Sequence, residues 1–422
     1  YWGAYQTPAD GDFDYPEGAY GVMSWWDYGH WITVRGERIP VANPFQQNAQ
    51  TAANYLLAPD DATAHDVLAE VDEEDATTRY VAVDWKLVAP QSKFGAPVVF
   101  YSTNESLVRS DMIQGQIYNQ NGQNWVTLKS QRYYESQMVR LYRYHGSARQ
   151  AEPLVVDYEI RSFETQGGQV EVPAFNGTRQ FRTMEAAEEF VRRDGTASIG
   201  GISDYPSEDV AALKHYRLVK ASGQYLAPTR YLQNGEFNFG NHPTWVKLFE
   251  RVPGATVTGT APPNTTVEAK VEMAIQFPKQ PGTFNYTQYA ETGPDGEFEM
   301  TLPYSTTGYE NWGPENGYTN VSVRATGPYT FTAGTSVNQS TLDITQWRAE
   351  ADVSEAKVIG EDTEGVTVSL EKEVVGNLQP EPQNQTNTTN SSDAQSALSS
   401  TLPSSDSTLE DSTVNDPPAP TV

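Results

Sequence analysis

The chain has 422 residues, enough for two or three domains. Asp and Glu number 55 against 28 Lys plus Arg, a formal charge of −27. That balance argues against a nucleic-acid partner, which needs basic patches, and against an anionic bilayer surface. With no cysteine, disulfides, a thiolate nucleophile and Cys-based zinc sites are excluded.

The acid is dispersed along the chain, and only 10 of the basic residues are lysine. A lysine-poor acidic surface fits work at high salt, where self-repulsion is screened; an acidic extracellular protein is the alternative. No run of 18 apolar residues occurs, so no segment is expected to span a membrane. There is no signal peptide, and the chain opens on Tyr1, which suggests a soluble piece of a larger protein.

Residues 1–150 predict a mixed α/β fold with several helices. Asn43 and Pro44 suit the N-cap and first turn of a helix over Phe45–Leu57. Ala62–Glu73 predicts a second helix, Tyr80–Asp84 and Pro97–Tyr101 predict strands, and Glu105–Tyr118 and Arg132–Tyr144 predict helices. In the last of these Met138, Leu141 and Tyr142 recur at helical spacing. Residues 151–244 are less regular and read as an insertion or accessory part. They hold strands at Leu154–Tyr158 and Tyr216–Lys220 and helices at Thr183–Arg193 and Pro206–His215. From Trp245 the apolar runs shorten and Gly/Pro/Asn turns recur. Asn264–Glu272 and Gly296–Leu302 alternate as half-buried strands, and Tyr318–Arg324, Tyr329–Thr332 and Gly365–Lys372 continue the pattern. The expected fold class is α+β and multidomain: a helix-rich mixed α/β core over 1–244, an all-β sandwich over 245–376, and a disordered Ser/Thr/Asn-rich tail over 377–422.

The most informative stretch is Ser24–Trp31, where Trp25, Trp26, Tyr28 and Trp31 surround one carboxylate, Asp27. Two indole N–H donors beside an ionised acceptor complement a bound hydroxyl, which accepts from the first and donates to the second. Packing alone is the competing reading of such an aromatic cluster. Trp25-Trp26-Asp27-Tyr28-Gly29, within Tyr20–Ile32, resembles the signature of the catalytic subunit of oligosaccharyltransferases, in its archaeal, AglB-type branch. These are membrane enzymes that N-glycosylate Asn-x-Ser/Thr sequons.

The resemblance implies that Trp25 and Trp26 donate to the +2 Ser/Thr hydroxyl of an acceptor polypeptide and that Asp27 accepts its proton. Tyr28 and Gly29 would shape the following turn, Gly29 by permitting close backbone approach. It also implies a second element of the form Asp-x-x-Lys or Asp-x-x-Met. The local match is Asp84-Trp85-Lys86-Leu87, ahead of Val88–Lys93, with Leu87 at the Lys/Met position and Lys86 one residue early. Either could complete the acceptor pocket. The layout implied is a soluble domain on the extracellular face of an archaeal, halophilic cell membrane, following many transmembrane helices. The transfer chemistry, a dolichol-phosphate-linked glycan and Mn2+ or Mg2+ would belong to that membrane part. No catalytic or metal-binding residue is expected in this chain. His30 has no nearby His and is read as structural or surface, and Asp10–Asp14 starts like a calcium loop but has Tyr15 where glycine is needed.

Nine sequons occur, at Asn104, Asn176, Asn264, Asn285, Asn320, Asn338, Asn384, Asn387 and Asn390. They suggest an extracytoplasmic chain that is itself a glycosylation substrate. They also keep open a secreted haloarchaeal surface glycoprotein without catalytic activity; a secreted glycosidase is a third reading.

Overall fold

A computed structural model describes residues 18–72, 77–103, 106–119, 121–165, 167–223, 244–275 and 282–378. Asp10–Asp14, the sequons at Asn104, Asn384, Asn387 and Asn390, and nearly all of the expected tail lie outside these residues.

The described residues open with β1 (Gly21–Met23), a 3-10 turn over Trp26–Tyr28, α1 (Gly29–Val34) and β2 (Ile39–Pro40). Next come α2 (Ala49–Leu56), α3 (Asp61–Ala69), β3 (Thr78–Asp84), α4 (Trp85–Val88), α5 (Gly95–Phe100) and α6 (Arg109–Met112). They are followed by β4 (Ile113–Tyr118), β5 (Asn124–Lys129), α7 (Gln131–Glu135), α8 (Gln137–Tyr144), β6 (Leu154–Thr165), β7 (Gly168–Gln180), α9 (Met184–Asp194), β8 (Ala197–Ile199), β9 (Tyr216–Ala221) and β10 (Val246–Arg251). The first sheet has the order β2-β1-β3-β10-β9, with β1 parallel to both neighbours and the other pairs antiparallel. Alternation along β3 divides its faces. Val81 and Val83 enter the main core with α2, α3, α7 and α8, whereas Tyr80 and Ala82 meet Val22, Val219 and Val321 on the other side. A second sheet, β5-β4-β7-β6-β8, holds the long hairpin β6–β7 and packs α9 on Val155 and Ala197.

The remaining strands are β11 (Ala255–Thr260), β12 (Thr266–Ile275), β13 (Gly282–Glu291), β14 (Glu297–Leu302), β15 (Val323–Ala325), β16 (Tyr329–Val337), β17 (Asp343–Ala351), β18 (Val366–Ser369) and β19 (Glu371–Asn377), with α10 (Glu355–Ile359) before β18. They form the sheets β14-β11-β18 and β13-β12-β16-β17-β19, with β15 also on β12. Val267, Ala269, Val271, Met273 and Ile275 of β12 point inward in strict alternation, and the rings of Phe298 and Phe331 meet 6.5 Å apart between the sheets. The fold is α+β and multidomain. β10 belongs to the first sheet, and one hydrophobic core runs from Met23 through α8 to Val368, so the sandwich packs directly on the mixed part.

Several predicted elements differ. Pro97–Tyr101 is helical, not a strand: Phe94, Pro97 and Val98 are buried while Val99 is 81% exposed, an arc that period-2 alternation does not give. A short apolar run cannot separate the two by pattern alone. The helix expected over Glu105–Tyr118 is replaced, within the described residues, by one helical turn at Arg109–Met112 followed by β4. The helix expected from Phe45 begins at Ala49, because Asn43 Oδ1 accepts from Phe45 N and spends its cap on a turn. Residues 132–144 are two helices broken at Ser136, which is extended. Pro206–His215 is irregular, its backbone bonded elsewhere. The Arg140 guanidinium donates to the carbonyls of Ala211 and Ala212, Lys214 N donates to Asp61, and Val210 bridges Arg149. Tertiary partners there override helix propensity.

Candidate functional site

The five motif residues turn the chain from β1 into α1. Trp25 is the foundation: it is 2% exposed, with its ring edge-on to Phe100 at 5.6 Å and tilted against Trp26 at 6.0 Å. Tyr28 N donates to Trp25 O at 3.0 Å and closes the 3-10 turn. Gly29 is required by space rather than by its dihedrals. A Cβ there would lie 2.4 Å from Ala42 O and 2.7 Å from Asn43 Cα, so the 42–43 segment crosses directly over the motif. His30 is exposed on the outside of α1.

Trp26, Asp27 and Tyr28 are half-buried. Trp26 Nε1 and Asp27 Oδ1 are both buried from solvent and hold no hydrogen-bond partner. Asp27 Oδ2 is held by the Lys93 ammonium. The same ammonium sits 5.1 Å from the centre of the Tyr28 ring. Consecutive residues thus carry an N–H donor and a carboxylate oxygen that are buried and unpaired, an arrangement that costs free energy.

The second element is tied to the first through its aspartate. Asp84 ends β3 and caps α4: Oδ1 accepts from Leu87 N at 3.0 Å, while the Tyr28 hydroxyl donates to Oδ2. Burial pushes the Asp84 carboxyl above the usual carboxylate range, against the opposing effect of the Tyr28 hydrogen bond. Leu87 is fully buried in the main core. Lys86 is half-buried, with its ammonium 5.6 Å from the centre of the Trp245 ring. The lysine on Asp27 is Lys93, nine positions after Asp84, which spacing to the aspartate did not single out. The turn carrying it is pinned by Lys93 N donating to Lys86 O at 3.0 Å and by Arg109 donating to Pro90 O at 2.6 Å. The cue in the sequence was weak: a basic residue in a Gln-Ser-Lys turn of a lysine-poor chain.

An apolar depression of about 250 Å³ adjoins the motif, lined by Tyr28, Trp31, Ile32, Gly36, Ala82, Asp84 and Val246. A larger cleft of about 940 Å³, lined by Asp61, His65, Asp72, His215 and Arg251 among others, contains none of the motif residues. Among the described residues no group of three or more His, Asp or Glu side chains could hold a metal ion, so these residues do not fit a divalent-cation site. No described helix is long and apolar enough to cross a membrane.

Two family models match the chain: one described as the AglB core domain over residues 5–88, and one described as the archaeal glycosylation protein B long peripheral domain over residues 254–363. The fold resembles crystal structures of the Archaeoglobus fulgidus oligosaccharyltransferase. One is a complex with Zn and sulfate (TM-score 0.54, 20% identity, 87% of this chain and 43% of that one). Another is tethered to an acceptor peptide containing the NVT sequon (TM-score 0.55, 20% identity, 87% of this chain and 40% of that one). A third structure of that organism's AglB holds an inhibitory peptide and a dolichol-phosphate (TM-score 0.54, 21% identity, 87% of this chain and 39% of that one). These likenesses show the fold. In sequence, the chain is 50% identical over 396 residues to the dolichyl-monophosphooligosaccharide–protein glycotransferase AglB of Haloferax volcanii, covering 88% of this chain and 37% of that protein. It is 26% identical over 367 residues to the dolichyl-phosphooligosaccharide-protein glycotransferase 3 of Archaeoglobus fulgidus, covering 80% and 38%. The chain belongs to the AglB family of archaeal oligosaccharyltransferases. It spans just over a third of the length of these two relatives. The surface-glycoprotein alternative is not favoured by these likenesses.

Proposed function

We propose that this chain is the acceptor-binding, extracellular part of a membrane oligosaccharyltransferase that transfers a glycan from a dolichol-phosphate-linked donor to Asn of Asn-x-Ser/Thr. The pairing of unpartnered Trp26 Nε1 with unpartnered Asp27 Oδ1 carries the reading. A +2 Ser or Thr hydroxyl accepts from the first and donates to the second. Lys93 holds the other Asp27 oxygen and so fixes the carboxylate, while Trp25 braces Trp26; the second indole N–H, from Trp25, is assigned by the family resemblance alone. Asp84 anchors Tyr28 and with it the turn. A +2 Ala would leave both polar atoms unpaired inside the site and be rejected. The flank of the motif supports a domain that works against another part of a longer protein, because Trp31, Val34 and Phe45 are exposed there, Phe45 to 89%. A metal, which the family reading assigns to the membrane part, would supply charge stabilisation there; this chain's residues bind and orient the acceptor.

The test is peptide glycosylation by the full-length enzyme in molar salt, comparing wild type with Asp27→Ala on acceptors with Thr or Ala at +2. Loss of a hydrogen bond to a charged group lowers transfer to the Thr peptide by roughly 10- to 150-fold, and the Thr preference collapses. Undiminished, Thr-selective transfer by a folded Asp27→Ala enzyme would reduce the motif to packing.

A further inference from the structure

We propose that Asn338 is an N-glycosylation site of this protein itself, and that its glycan covers the exposed edge of the larger sandwich sheet. The inference rests on the function proposed above, since a second copy of the full-length enzyme supplies the transfer. To be modified, a sequon must offer its Asn amide and its +2 hydroxyl to another protein at the same time.

The five sequons within the described residues differ sharply in that respect. Asn176 lies inside the β6–β7 hairpin, with its amide donating to Asp157 at 3.4 Å. Asn285 is paired with Glu272 in mid-strand and is followed by the fully buried Tyr286. Asn320 is followed by buried Val321, and its +2 Ser322 hydroxyl donates to Val219 O at 2.8 Å. At Asn264 the +2 Thr266 hydroxyl donates to Glu291 at 2.6 Å, and Thr265 is tied to Pro262 O. Asn338-Gln339-Ser340 instead forms the connection from β16 to β17, and all three residues are exposed. Asn338 Oδ1 accepts from Ser340 N at 2.9 Å and Thr341 N at 3.3 Å, an Asx-turn that uses the side-chain oxygen and not the nitrogen. None of the hydrogen bonds among the described residues engages that nitrogen or the Ser340 hydroxyl.

A second observation gives the glycan something to do. β19 is an edge strand, and Val374 is 63% exposed on it, next to exposed Val375; Val337 is exposed at the end of β16. Unpaired, apolar edges template association with another chain unless they are covered. The Asn338 turn stands at that edge, because Asn377 at the end of β19 donates to Thr341 O at 3.0 Å. A bulky, hydrated glycan there shields the strand. In the transfer the Asn338 amide nitrogen attacks the anomeric carbon of a lipid-phosphate-linked glycan. The C–N bond forms, the C–O bond to phosphate breaks, the lipid phosphate leaves with the electron pair, and the amide proton passes to a base.

The full-length protein would be produced in a haloarchaeal strain lacking its own oligosaccharyltransferase, with a reporter protein carrying an exposed Asn-x-Thr loop. Trypsin releases Ala325–Arg348, which holds Asn338 as its one sequon. Mass spectrometry should find on this peptide the same glycan mass as on the reporter. Ser340→Ala and Asn338→Gln should both abolish it, Ser340→Thr should keep it, and reporter modification should be unchanged in all three. A modified reporter beside a bare Ala325–Arg348 overturns this inference and leaves the proposed function standing. If neither is modified, the proposed function fails and takes this inference with it.

Discussion

The motif turn and the Arg217 cluster are both polar, yet they are built on opposite terms. Arg217, 1% exposed on β9, donates to Glu250 at 2.7 Å and 3.1 Å and to Glu355 of α10 at 2.7 Å and 2.8 Å. The second Glu250 oxygen accepts from Arg79 and Thr319, and Ser305 donates to Glu355. Every carboxylate oxygen is used, so the first sheet and α10 are joined without an orphan. At the motif the carboxylate is half-served, by Lys93 alone, and the indole N–H of the preceding residue has no partner. Complete satisfaction suits a joint; the incomplete pair is what the proposed acceptor role rests on.

The comparison breaks most visibly at the joint. Arg217→Met leaves Glu355 buried without a cation, and Glu250 with Arg79 alone, and should cost about 3–5 kcal/mol in denaturant unfolding at constant salt. A loss under 1 kcal/mol would mean that water reaches the cluster. The counterpart at the motif is Trp26→Phe, which keeps a ring and removes the N–H. It should leave stability nearly unchanged and weaken the acceptor by about 1–1.5 kcal/mol, near 10-fold in the KM of an Asn-x-Thr peptide. A destabilised protein with an unaltered KM would make Trp26 a core residue.

Asp84 sharpens the contrast through pH. Its carboxyl is raised by burial, so the folded chain holds this proton more tightly than the unfolded chain does. The contribution of this group therefore falls as pH rises from about 4, the ordinary aspartate value, through the raised one. Asp84→Asn, which can still cap α4, should remove that slope. The wild-type Tm, measured against the variant, should decline over this window; parallel curves would refute the assignment. The smallest effect belongs to Lys93→Gln. The pair with Asp27 is about one-third exposed on the lysine side, so stability should change by less than about 1 kcal/mol, and less still in molar salt.

The motif was legible because Trp25 to Gly29 are consecutive, and one turn between β1 and α1 is enough to bring them together. Asp84 was legible through its place at the end of an apolar strand. Lys93 was not, because a loop pinned by Arg109 and Lys86 carbonyl contacts brings it to Asp27, and nothing local in the sequence encodes that path. The sandwich was read well where one face is buried and the other wet, as in β12, since alternation then appears directly in the residues. Pro97–Tyr101 and Pro206–His215 were misread for a shared reason. Both lie where packing partners, not period or propensity, choose the backbone, and the bonds from Arg140 to residues 211 and 212 show this plainly.

All eight residues of α8 are buried, including Gln137, Arg140 and Arg143, so this helix has no face turned to water. It is held from every direction: Gln137 N by Ala58 O, Arg140 by residues 211 and 212, Tyr142 O by Lys247, and the adjoining His145 O by Tyr304 of the sandwich. A segment clamped by both halves cannot loosen with either one alone. Its amides should therefore exchange with deuterium only when the whole unit opens, at the slowest rate in the chain. Exchange at 137–144 becomes a gauge of the integrity of the entire unit, even for a lesion placed far out in the sandwich.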